Sequence, residues 1–80
     1  MDDNLGMSKE QEIKSILVKN MKKYREKQGL TQDDASEKAG ITSKYWQRLE
    51  MKSQPDLPSL KTLFKVAEAL KVSPSKMLDS

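Results

Sequence analysis

The chain has no cysteine and no histidine. Without cysteine, neither a disulfide nor a thiolate metal site can staple the fold. Without histidine, the usual general base and the commonest metal ligand are both missing. Catalysis would have to rest on carboxylates and lysines, and no pair of these falls in a recognisable pocket pattern. An enzyme is therefore not expected, nor is a cofactor, a bound metal or a small-molecule substrate. Long apolar runs are absent too. The longest is Ile16-Leu17-Val18, far short of a bilayer span, and no leader-like segment precedes it. No internal repeat, low-complexity tract, interdomain linker or credible strand is present. What remains is one small all-α domain. At 80 residues it buries only roughly 60% of its unfolded surface, so its stability should be modest.

Local signals divide the chain into helices. Residues 1–7 (MDDNLGM) are acidic and without apolar period, which predicts a disordered tail before a domain at 8–80. Ser8-Lys9-Glu10-Gln11 has the form of a capping box. The first helix then runs to about Gln28, with Ile13, Leu17, Met21 and Tyr24 as its buried stripe. Ile16 and Val18 fall off that stripe and either meet a partner subunit or stand exposed. Gly29 supplies a left-handed stop, and Leu30 returns to the core. Thr31 caps a second helix, Gln32 to about Ala39, whose inward residues Ala35, Ser36 and Ala39 are small. Thr42 caps a third, ending near Glu50, and its large Trp46 answers those small residues as core. Met51 to Pro58 is a loop. Ser59 caps a fourth helix with Leu60, Leu63, Phe64, Val66, Ala67 and Leu70 inward. Ser73 and Pro74 open a last short helix carrying Met77 and Leu78.

The stretch Thr31–Glu50 organises the rest. Two helices meet at a corner containing Gly40, which is the form of a helix-turn-helix whose second helix can lie in a DNA major groove. That helix has two faces. Trp46 and Leu49 point one way. Ser43, Lys44, Gln47 and Arg48 share the other at i, i+1, i+4, i+5, a face of hydrogen-bonding and cationic groups only. Taken alone, such a face equally suits a solvated helix. The overall charge, 15 Lys and Arg against 12 Asp and Glu, is only mildly basic. Its distribution says more: the cations gather in Lys14–Lys27 and in the second helix of the pair.

Leu30-Thr31-Gln32, Gly40-Ile41-Thr42, Arg48-Leu49-Glu50, Pro58-Ser59-Leu60 and Ala69-Leu70-Lys71-Val72-Ser73, in that order and spacing, resemble the Cro/cI-type helix-turn-helix family. The resemblance covers about Leu17 to Leu78. It implies a five-helix, lambda-repressor-like DNA-binding domain with the helix-turn-helix formed by helices 2 and 3. It further implies a bacterial or phage transcriptional regulator, a repressor or a restriction–modification controller, binding a palindromic operator on double-stranded DNA as a homodimer. Such a protein would be cytoplasmic and nucleoid-associated. By position, the resemblance implies that Ser43, Lys44 and Arg48 read bases. It gives phosphate contacts to Gln32, Thr42, Tyr45, Gln47, Lys52, Ser53 and Gln54, and a bridging ion pair to Arg25 and Glu50. Dimer surfaces would come from Val72, Met77 and Leu78, or from Ile13, Ile16 and Val18. The chain departs from the family at Ala35, Ser36, Ala39 and Trp46, and in a longer loop from Glu50 to Pro58 that lacks the usual Gly and second Arg. The alternative is an antitoxin-like or protein-interaction module with a protein partner and secondary DNA binding. A patch of exposed apolar residues away from the third helix would favour it. A membrane-surface role for residues 13–27 is disfavoured, because their cations do not flank a clean apolar face.

Overall fold

Ser8 opens helix α1, Lys9–Lys27. Its Oγ accepts the Gln11 backbone N–H at 3.2 Å, and the Gln11 side chain accepts the Ser8 N–H at 2.9 Å. The computed structural model describes residues 8–80. The stretch 1–7, expected as a disordered tail, lies outside the described residues. Gly29 at φ +70° ends α1, and the Leu30 N–H returns to the Arg25 carbonyl at 3.0 Å. Helix α2, Gln32–Ala39, is capped at Thr31, with Asp34 completing the box. Gly40 at φ +72° then turns the chain, a left-handed conformation that glycine adopts without steric cost. Helix α3, Ser43–Leu49, starts on the Thr42 hydroxyl, which accepts the Tyr45 N–H at 3.0 Å. Helix α4, Leu60–Ala69, starts on the Ser59 hydroxyl.

The described chain is all-helical. Four α-helices are followed by Pro74–Leu78, a 3₁₀ segment rather than the expected short α-helix. Five residues opened by a proline, with no side-chain cap, cannot sustain the wider turn. Helix α2 packs on α3 and on α4, and the 3₁₀ segment packs on α1 and α4. Trp46 of α3 is fully buried among the small α2 residues Ala35 and Ala39, with Leu17, Met21 and Leu49 around them. The indole fills the volume those small side chains leave. Asn20, 2% exposed, donates to the carbonyls of Met77 and Asp79 at 2.9 and 2.8 Å, which ties the chain's end to α1.

Two expected faces are corrected. On α1 the buried residues are Lys14, Leu17, Val18, Asn20 and Met21, and all but Asn20 follow the spacing i, i+3, i+4, i+7. Ile13, expected in the core, is 42% exposed, and Val18, expected off the stripe, is 3% exposed. Successive i+4 steps drift around the cylinder by roughly 40° each, so the expected stripe walked away from the true face. On α4, Leu60 and Phe64 were expected inside but are 71% and 56% exposed. The inner face is Leu63, Val66, Ala67 and Leu70. Phe64 points roughly 100° from Leu63, and Leu60 sits in the first turn, at the edge of the core.

Candidate nucleic-acid interface

Helix α3 has seven residues, too few to be stable by itself, so its direction must come from what its inner side is tied to. The tie is Glu50, its C-terminal cap residue, whose side chain is 1% exposed. Its Oε2 accepts Arg25 Nε at 2.8 Å and the Trp46 indole N–H at 2.7 Å. Its Oε1 accepts Gln32 Nε2 at 2.9 Å and Arg25 Nη2 at 3.2 Å. A buried carboxylate is tolerable only when its lone pairs are filled, and here four N–H groups fill them. They come from α1, α2 and α3. The hydrogen bonds it donates to Glu50 hold the Arg25 guanidinium above its ordinary pKa in spite of its partial burial. The third arm of that guanidinium, Nη1, donates to the Leu30 carbonyl at 2.9 Å, so the turn before α2 is held by the same group.

A second tie holds the other side. Lys14 of α1 is 3% exposed. Its ammonium donates to the carbonyls of Arg48 at 3.0 Å and Asp56 at 2.7 Å. Desolvation lowers the Lys14 pKa; Asp56 opposes that effect and Arg48 adds to it. One ammonium thus joins the end of α3 to the far part of the loop 51–58. Across the same junction Arg48 Nη2 meets both oxygens of Asp56, at 2.9 and 3.0 Å.

The residues expected to touch DNA fall into three groups. Lys44, Gln47 and Arg48 are exposed on the outer face of α3, with Ser43 half-buried beside them and Thr42 exposed at its cap. Gln32 and Tyr45 are turned partly inward: the Gln32 amide is on Glu50, and Tyr45 packs against the core. Lys52 and Ser53 line a cleft with Glu10, Gln11, Lys14 and Ser15, and Gln54 is half-buried. Pro55 completes the lining of that cleft. Among the described residues, no group of acidic side chains is placed to hold a metal, and no helix is long and apolar enough to cross a membrane.

Sequence reasoning overlooked Lys14 and Asp56, and gave Glu50 only one of its partners. Lys14 was findable, because the spacing 14, 17, 18, 21 is a better helical face than the one expected. Asp56 sits in an irregular loop where no periodicity points to it.

Comparison with known proteins agrees with this architecture. The sequence profile of the helix-turn-helix family matches residues 21–77. No curated protein sequence matches. Among solved structures, the crystal structure of a hypothetical transcription factor, NHTF, from Neisseria is similar, with a TM-score of 0.78 at 23% identity. The match covers 98% of this chain and 87% of that one. At that identity the likeness shows a shared fold.

Three variants test the ties. Glu50→Ala should cost roughly 3–5 kcal/mol in urea denaturation, because it strands a partly buried guanidinium and a fully buried indole N–H. Glu50→Gln, which keeps acceptor capacity, should lose less, and equal stability for all three proteins would rule out the four-donor carboxylate. Lys14→Met should leave core amides protected while those of 51–57 exchange about tenfold faster or more, since two carbonyls lose their donor. Unchanged exchange in the loop would mean that Lys14 does not hold it.

Proposed function

The chain belongs to the helix-turn-helix family of the Cro/cI type, and on that premise we propose that it is a DNA-binding transcriptional regulator that recognises a specific double-stranded site. The observation that carries this reading is the outer face of α3. Lys44, Gln47 and Arg48 stand exposed on a helix whose inner side is anchored by the buried Glu50 carboxylate. A helix held at its inner side and offering hydrogen-bonding and cationic groups outward suits the floor of a major groove.

The roles divide by chemistry. Ser43, Lys44 and Arg48 read base edges; lysine and arginine donate to guanine O6 and N7. The N-terminal N–H groups of α2, an eight-residue helix beginning at Gln32, receive a phosphate, as helix N-termini do. The Gln32 side chain braces that turn through Glu50. Thr42, Tyr45, Gln47, Lys52, Ser53 and Gln54 border the groove and complete the backbone contacts. Phosphate contacts fix register and make binding salt-dependent, while base contacts choose sequence.

The regulator acts as a homodimer on a palindromic operator, with half-sites about 34 Å apart. Of the surfaces first considered for dimerisation, Val18 and Met77 are 3% and 0% exposed and unavailable. The outer side of α4 is the better candidate, because Leu60 and Phe64 are the two most exposed large apolar side chains described.

Selection of binding sites from random duplexes tests the reading. Enrichment of a two-fold symmetric site is expected. A Lys44→Ala, Arg48→Ala variant should lose it and keep only weak, salt-driven binding. If wild-type protein enriches nothing, the DNA-reading proposal is wrong. Phe64→Glu should shift sedimentation from dimer to monomer and leave half-site binding. A variant that still sediments as a dimer would place the interface elsewhere.

A further inference from the structure

Arg48 and Asp56 present a problem for any DNA-reading role. The side chain best suited to a guanine already holds a carboxylate, and a carboxylate beside DNA repels phosphates. The geometry resolves it. Both Asp56 oxygens lie on one nitrogen of Arg48, Nη2. Among the described residues, Nε and Nη1 of that guanidinium have no hydrogen-bond partner. Nη2 carries two hydrogens, one on the edge it shares with Nε and one on the edge it shares with Nη1. Whichever of them Asp56 takes, the other edge keeps a parallel pair of N–H donors. Guanine O6 and N7 require such a pair.

The position of Asp56 is not left to chance. Its backbone carbonyl is fastened by Lys14 to the same ammonium that holds the Arg48 carbonyl. The two backbones are therefore fixed relative to each other, and the carboxylate arrives on Arg48 from a set direction. The hydrogen bonds from Arg48 hold the Asp56 carboxyl below its ordinary pKa, so it stays ionised around neutral pH. The pair is too exposed, at 47% and 28% for the two side chains, to withhold Arg48 from a good bidentate base contact, which is the stronger interaction. It is strong enough to orient a long, rotatable side chain that would otherwise sample many directions.

We infer that Asp56 is a positioning residue for base recognition: it aims the free edge of Arg48 at one base pair, while its charge lowers affinity for DNA of every sequence. The inference rests on the reading of Arg48 proposed above. It predicts opposite changes in two quantities. Loss of the carboxylate should weaken discrimination at the Arg48 base pair, because Arg48 is then free to donate to a phosphate or to another base. It should strengthen binding to every sequence, because one negative charge leaves the interface.

The test uses the full chain carrying Asp56→Ala, Asp56→Asn or Arg48→Ala. Affinity is measured for the selected site, for that site with each base pair replaced, and for a random duplex. Arg48→Ala identifies the base pair at which preference is lost. At that base pair Asp56→Ala should lower discrimination about tenfold, and it should raise random-duplex affinity about threefold at low salt. Asp56→Asn should fall between, with melting temperature unchanged in both. Affinity falling on all DNA would make Asp56 merely structural and overturn the inference. Affinity rising on all DNA with discrimination intact would make it a brake on Arg48, which also overturns it. If wild-type protein selects a site but Arg48→Ala alters no base preference, Arg48 is not a reader and Asp56 has nothing to aim. If wild-type protein selects no site at all, the DNA-reading function itself fails.

Discussion

One buried carboxylate sets the geometry of the helix-turn-helix. Glu50 takes N–H donors from Arg25 on α1, Gln32 on α2 and Trp46 on α3, so three helices converge on two oxygen atoms. The arrangement suits a guanidinium better than an ammonium. Arg25 gives two arms to Glu50 and a third to the Leu30 carbonyl; a lysine presents a compact charge and cannot span those acceptors in one plane. Burial makes the node demanding as well as strong, because removing any one partner leaves an unpaired polar group in a low-dielectric interior. Trp46 gains from it directly. An indole can be fully buried here because its one polar atom has an acceptor four residues along the same helix.

Helix α1 acts as a beam that grips α3 at two points. Arg25 reaches the Glu50 side chain and Lys14 reaches the Arg48 carbonyl. These residues lie eleven apart, three turns to within roughly 20°, so both project from one face and are separated along it by about 16 Å. The Lys14 cation also sits where the carbonyls of α3 are exposed, which a helix C-terminus favours. The same ammonium extends the grip to Asp56 and so to the loop. Rigidity in α3 thus originates in a helix outside the helix-turn-helix pair.

Most of the fold was legible because its punctuation is local. Ser8, Thr31, Thr42 and Ser59 each start a helix on their own hydroxyl, and Gly29 and Gly40 end one in the left-handed region. These signals need only neighbouring residues. Apart from the 3₁₀ form of Pro74–Leu78, the corrections concern which side of a helix meets the core, and that is decided by distant partners. Lys14 looks like a surface residue until the carbonyls of Arg48 and Asp56 are brought to it. Phe64 looks like core until α4 is seen to face inward with Leu63, Val66, Ala67 and Leu70. The candidate interface was legible to a smaller degree. The outer face of α3 follows from helical spacing, but the inward turn of Gln32 and the Asp56 contact on Arg48 depend on the assembled structure.

Hydrogen exchange at the Trp46 indole N–H tests the central claim most directly. It reports on the carboxylate without altering it. If Glu50 holds the indole as described, that proton should resonate apart from free indole and exchange only through global unfolding, with protection equal to that of the slowest core amides. Rapid exchange through local opening, while the core amides remain protected, would contradict the account. Helix α3 would then be anchored by something other than Glu50.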